Sequence, residues 1–169
     1  MDRTTLVKEA LDTIFGYLGI SPEYTLSEVE PEDGGDSEGD NNNSNRNLQV
    51  EIEGDELSFL IGYHGESLDA LQSFLNTILL RKVKEKSDEP RTRVIVDIND
   101  YRKRRSEKIL DITKSLIDRV RFMQQDMEMP PMKPSERREV HILITDYPDI
   151  DSESTGERFE RRVVLKLKQ

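Results

Sequence analysis

The sequence predicts an α+β protein built from two small domains. Three observations carry this. Apolar residues recur at helical spacing in some stretches and at every second residue in others, and the two kinds of stretch interleave along the chain. Apolar residues are 34% of the 169 and charged residues 36%, so the apolar surface suffices for one or two modest cores. The pattern also restarts near Asp100, which sets the domains at residues 1–99 and 100–169. No internal repeat is visible.

The first domain begins with Val7, Leu11, Ile14 and Leu18. Their steps of four, three and four mark one face of an amphipathic helix. Gly19 and Ser21-Pro22 end it. Tyr24 to Val29 reads as a strand. Glu30 to Asn47 contains no apolar residue, so it cannot offset its own ordering entropy and is expected to be a disordered, acidic insertion. Leu48, Val50 and Ile52 then alternate with Gln49, Glu51 and Glu53 as a half-buried strand. Asp55 is a candidate cap for a short helical turn, Glu56 to Ile61. Beyond Gly65, Leu68, Leu71, Leu75 and Ile78 share a face of a long helix, which ends in the charged run Arg81 to Lys86. Val94, Val96 and Ile98 form a third strand.

In the second domain Asn99 or Asp100 is expected to cap a long helix with Ile109, Ile112, Leu116, Val120 and Met123 on one face. Met129 to Pro134, MPPMKP, is a rigid break, and Pro134 suits the first turn of the next helix. Val140, Leu143 and Ile144 form that helix's expected buried side. An apolar-poor stretch follows, with Gly156 as a turn. A last strand sets Val163, Leu165 and Leu167 against Val164, Lys166 and Lys168.

Charge is distributed unevenly. Met1 to Asp55 holds 3 Lys/Arg and 14 Asp/Glu, a net of −11, whereas Glu56 to Gln169 holds 22 and 21, a net of +1. The chain's net charge of −10 therefore says little about the second two thirds. There is no Cys and there are only two His, so thiolate sites are excluded, and a three-His metal site is too. No glycine-flanked serine elbow and no phosphate-binding GxxxxGK[ST] loop occurs. No catalytic residues, cofactor or metal are expected. The N-terminus has no signal-peptide pattern and no apolar run reaches the ~20 residues of a membrane span. The expectation is a cytoplasmic protein without membrane insertion.

The stretch LIGYHGESLDAL, Leu60 to Leu71, raises the first question about function. Gly62 and Gly65 interrupt what could have been one helix. Lacking Cβ atoms, they let backbone approach a ligand and adopt angles closed to other residues. The helix that follows presents unpaired N–H groups and a positive dipole end, which together attract phosphate. Within LIGYHGESLDALQSFLNTILLRK the GxxG resembles the core of a KH domain, whose loop clamps about four backbone nucleotides, and the element order is that of the type II version. PPMKPSERREVHI resembles an R3H domain, with Arg137 and His141 four apart on one helical face. The tandem, closing on ESTGERFERRVVLKL, is similar to the Jag/KhpB family of bacterial RNA-binding proteins.

The resemblance implies a type II KH domain, with helices on one face of a three-stranded sheet, followed by an R3H domain of helices on a small sheet. The implied partners are single-stranded RNA, or single-stranded DNA, and a second small KH protein. The implied role is post-transcriptional control linked to cell elongation and division. Many relatives carry a further N-terminal domain, whereas this chain begins with the first KH helix. The implied KH contacts are Ile61, Gly62, Tyr63, His64, Gly65, Glu66 and Ser67, with Ile61, Leu68 and the nearby strand forming an apolar groove for bases. The middle of the loop departs from the basic residues common in the family. Tyr63 offers a stacking surface, His64 a donor that is charged only at mildly acidic pH, and Glu66 an opposing charge. The implied R3H contacts are Lys133, Arg137, Arg138, His141, Arg161 and Arg162. A competing expectation keeps Arg137 paired with Glu136 or Asp146 and His141 satisfied inside the fold. At the level of the whole chain, the alternative is a protein-interaction adaptor that uses the KH surface and the acidic segment.

Overall fold

Leu6, Val7, Leu11 and Phe15 are the buried residues of α1 (Arg3–Leu18), and they join the strand residues Leu48, Val50, Ile52, Val94, Val96 and Ile98 in one core. The computed structural model describes residues 2–29, 46–82 and 92–168. The chain divides into two compact units, Met1–Tyr101 and Arg102–Gln169.

In the first unit, Gly19 takes a left-handed φ of 68° at the end of α1. Ile20 donates its N–H to the Phe15 carbonyl at 3.1 Å and packs partly buried on the core. This is the turn-and-contact pattern that ends many helices. It brings Ile20 inward and leaves Leu18, expected on the buried face, 48% exposed. Strands β1 (Glu23–Val29) and β2 (Arg46–Glu53) pair antiparallel. Strand β3 (Thr92–Ile98) pairs parallel with β2, with Val50 opposite Val96, giving the order β1-β2-β3. Arg46 and Asn47, read as the end of the acidic insertion, are the first residues of β2. Residues 30–45 lie outside the described residues, and so does the expected disorder of that segment. Helix α2 (Ser58–Ile61) begins after a turn at 55–57, with Leu57 rather than Asp55 preceding its first residue. Helix α3 (Glu66–Lys82) buries Leu68, Leu75 and Leu79.

Two side-chain amides tie this unit together. Asn76 on α3 bonds both the N–H and the carbonyl of Val94 at 2.9 Å, and Gln72 accepts from Val96 N–H at 3.1 Å. An edge strand otherwise offers such groups to any extended chain. Asn99, expected to cap the next helix, instead spends its amide on Gly54, donating to the carbonyl at 2.9 Å and accepting from the N–H at 3.2 Å. The element order α1-β1-β2-α2-α3-β3 with this mixed sheet is consistent with a type II KH domain.

The second unit opens with α4 (Tyr101–Met123), which buries Ile109, Thr113, Ile117 and Val120. The buried face is rotated from the expected one, leaving Ile112 and Leu116 half-buried and Met123 exposed. Thr113 enters the core because its hydroxyl bonds the Ile109 carbonyl at 2.8 Å, so no donor is left unsatisfied. Strands β4 (Met127–Glu128), β5 (Ile150–Thr155) and β6 (Arg162–Leu167) form an antiparallel sheet in the order β4-β6-β5. Helix α5 (Pro134–Ile144) buries Val140 and Ile144, while Leu143 is only half-buried. The MPPMKP break seats Met129 and Met132 in the core, and their N–H groups reach the Val163 and Arg161 carbonyls at 2.9 and 3.1 Å. It thus continues alongside β6. Strands β4 and β5 were not expected. Apart from Ile150, β5 is Asp-Ser-Glu-Ser-Thr, with no apolar alternation to reveal it.

Candidate functional site

The glycine loop is a single 3-10 turn, Tyr63–Gly65, between α2 and α3. Gly62 has φ 70° and ψ −170°, a region open essentially to glycine. A Cβ there would lie 2.2 Å from Ser67 Oγ and 3.0 Å from Ser67 N. Gly62 is therefore required by the close approach of the first turn of α3, whatever else the loop meets. Gly65 is buried with φ 81°. His64 adopts the left-handed region, φ 50° and ψ 29°, and its ring stacks on Tyr63 at 4.0 Å between centroids and 13° between planes. Tyr63 is 64% exposed, so the turn presents an aromatic face to solvent at the N-terminus of a 17-residue helix. Glu66 and Ser67 are exposed and Ile61 is half-buried. Leu68 is fully buried in the core, so it cannot line a groove for bases as expected. The first unit's large cleft, about 670 Å³, is lined by Glu23, Glu53, Asp55 and Glu56 together with Phe59. Its charge is the wrong sign for phosphate.

The second unit brings Arg137, Arg138, His141 and Arg161 to one shallow cleft of about 480 Å³. Pro134, Ile142, Thr145 and Ser154 complete the lining, and no carboxylate takes part. Helix α5 supplies the first three site residues, with Arg137 and His141 one turn apart and Arg138 adjacent to Arg137. Arg161 comes from just before β6.

Within this cleft the Arg and the His differ sharply. His141 has both ring nitrogens engaged, Nδ1 with Ser152 Oγ at 2.8 Å and Nε2 with Ser154 Oγ at 2.9 Å. Its ring fastens α5 to β5. Arg137 is not paired with Glu136 or Asp146. Glu136 is buried and bound instead to Arg105 at 2.8 Å and to the Lys133 N–H at 2.9 Å. Arg137 Nε is buried, and no acceptor among the described residues reaches it. Burial, and then the positive charge of Arg161, push the Arg137 guanidinium below its ordinary pKa. Arginine nonetheless stays charged at any physiological pH. A partly buried cation with an open donor beside a second cation is poised for an anion.

Two expected contacts lie elsewhere. Arg162 is held by Glu128 at 3.1 Å and Glu160 at 2.9 Å, and Lys133 precedes α5 without lining the cleft. The residues missed from the sequence are Ser152 and Ser154, because β5 itself was not foreseen, and Ile142, which is 59% exposed on α5. Among the described residues there is no group of three or more His, Asp or Glu that could hold a metal ion, and no helix is long and apolar enough to cross a membrane.

A mixed three-stranded unit with a glycine turn, followed by a unit whose helix sets Arg and His on a small antiparallel sheet, defines a KH-like plus R3H architecture. Residues 107–167 match the R3H domain family model. Three similar proteins bear the name RNA-binding protein KhpB. The one from Clostridium symbiosum is 30% identical over 128 residues, 76% of this chain and 55% of that protein. The Bacillus subtilis (strain 168) protein is 28% identical over 124 residues, 72% and 57%. The protein from Streptococcus pneumoniae serotype 2 is 30% identical over 126 residues, 75% and 36%. The chain is thus similar to proteins named KhpB, and the matched stretch spans between about a third and somewhat over half of each one's length.

Proposed function

We propose that the chain binds single-stranded RNA without catalysing a reaction on it. The observation that carries this is Arg137, with its buried, unsatisfied Nε and its like-charged neighbour Arg161 in a cleft without carboxylates. The guanidinium fork matches a phosphate better than any group the fold supplies. Arg138 and Arg161 widen the positive surface. In the first unit the Tyr63-His64 turn and the N-terminus of α3 offer a second contact to the strand's backbone. The names of the similar proteins support RNA as the ligand. Pairing with a second small KH protein, and a role in post-transcriptional control of cell elongation and division, rest on the family resemblance alone.

Catalysis finds no footing in the cleft. Ser154 meets His141, but the other imidazole nitrogen faces a second serine rather than a carboxylate. Nothing there would stabilise an imidazolium formed by taking the serine proton. A second reading, a protein adaptor, is favoured by the acidic cleft around Glu53 and the half-exposed Phe59.

Anisotropy titrations with a mixed-sequence RNA pool at several salt concentrations separate the two. Binding should weaken with salt. Arg137→Ala should lower affinity for all sequences alike and reduce the log–log salt slope by about 0.7 for each phosphate no longer neutralised. Melting should be little changed, since the guanidinium gives up no hydrogen bond at Nε. Absence of binding at low salt, or an unchanged slope in the variant, would remove this reading and leave the adaptor.

A further inference from the structure

The hairpin between β5 and β6 carries Phe159 with 77% of its surface exposed. A single exposed aromatic is ordinary. This one is held out by a turn with little freedom. Thr155 and Arg162 are the last paired residues of the hairpin. Gly156 takes φ 87°, and a Cβ there would lie 2.8 Å from the Glu160 carbonyl oxygen, so the two arms of the turn nearly touch. Arg158 is in the left-handed region at φ 45°, which costs a non-glycine residue energy. Glu160 N–H bonds the Glu157 carbonyl at 3.0 Å. Arg162 closes the turn by donating to the Glu160 carbonyl at 3.1 Å and to its carboxylate at 2.9 Å.

Arg162 therefore does two things at once. It fixes the residue after Phe159, and it binds the Glu160 carboxylate, which would otherwise oppose an incoming phosphate. Two residues beyond Phe159 stands Arg161, which lines the arginine cleft and whose carbonyl is held by the Met132 N–H at 3.1 Å. Two residues span at most about 7 Å of chain, roughly one to two nucleotide steps. The turn thus holds an exposed aromatic residue within about 7 Å of chain of Arg161, one of the cleft's cations.

We infer that Phe159 is a stacking platform for an unpaired nucleobase whose neighbouring phosphate lies on Arg137 and Arg161. This rests on the RNA-binding reading and deepens it, because stacking demands a base free of its complement. Stacking is indifferent to which base is present, so the device selects single strands over duplexes without selecting a sequence. Arg162 acts here as a positioning residue and makes no contact with the strand.

The test uses the full chain and three probes of equal length: a single-stranded RNA, the same strand with abasic residues throughout, and the corresponding duplex. Phe159→Ala should weaken binding of the single strand about tenfold, near 1.4 kcal/mol, and leave the salt slope and the melting temperature unchanged. Phe159→Trp should restore it. Neither variant should alter binding of the abasic strand or the duplex. If Phe159→Ala binds all three probes as the wild type does while Arg137→Ala still weakens them, the stacking inference is overturned and the phosphate site stands. An equal loss on the abasic strand overturns it too, because no base is then involved. If the wild type binds none of the probes, the RNA reading beneath it has failed.

Discussion

Two serine hydroxyls of β5 occupy both ring nitrogens of His141, whereas Arg137, one turn earlier, has a buried donor that no described residue meets. The His is therefore bound into the fold, whereas the Arg is left open to an acceptor, as the proposed RNA contact requires. His141→Ala would leave two half-buried hydroxyls without their partner, a loss of about 1–3 kcal/mol. In a unit of this size that lowers the melting temperature by several degrees. RNA affinity measured well below the melting point should keep its salt slope. A variant that melts normally but loses slope would show that the imidazole leaves its serines to meet the strand. The sequence displayed the spacing of four that places both side chains on one face, but not their division of labour. That division depends on Ser152 and Ser154, which lie on a strand with no apolar alternation, and on Arg105, which draws Glu136 away from Arg137 across 31 residues.

The elements that were legible are those whose apolar period is unbroken. Helices α1, α3, α4 and α5 and strands β2, β3 and β6 all follow from spacing, since burial of one face drives their formation. The elements that escaped are held by polar bonds instead. Strand β5 turns its serines onto an imidazole. Asn76 meets Val94 as a neighbouring strand would, with one donor and one acceptor, and reads in sequence as an ordinary helical surface residue. Asn76→Leu should cost about 2–3 kcal/mol, because it leaves the Val94 N–H and carbonyl unpaired in a half-buried place. It should also raise the tendency to aggregate, as the edge of β3 is uncovered. Chemical denaturation and light scattering check the two effects, and a variant as stable and as soluble as the wild type would show that the edge needs no cover. The glycine turn behaves differently, because its tip is exposed. In Tyr63→Asp with His64→Asp, aspartate tolerates the left-handed angles of position 64, and the surface ring stack is lost. Stability should shift by about 0.5 kcal/mol or less. RNA affinity should fall at least tenfold as two carboxylates face the backbone. A folded double variant with wild-type affinity would reduce the loop to a turn built around Ser67.

At the scale of the whole molecule, charge has to be read by region. The chain as a whole is strongly acidic, with a sequence pI near 4.8, which would ordinarily argue against a polyanionic ligand. Yet the second two thirds is close to neutral, and Arg137, Arg138 and Arg161 meet in a cleft with no carboxylate in the lining. Local arrangement can outweigh net charge, because screening confines electrostatic reach to about 8–10 Å in ordinary salt. Charges farther than that from the cleft count little. Below about 0.01 M the reach grows to roughly 30 Å, and the six carboxylates between Glu30 and Asp40 then lower the potential felt by any approaching strand. Deleting Glu32 to Ser44 should therefore raise RNA affinity at low salt, and the gain should shrink steadily as salt is added. The same deletion should leave the melting of the second unit unchanged, because none of the deleted residues belongs to it. Titrations of both chains across a tenfold range of salt measure the effect directly. Curves that coincide at every concentration would mean the segment spaces β1 from β2 and has no electrostatic bearing on the ligand.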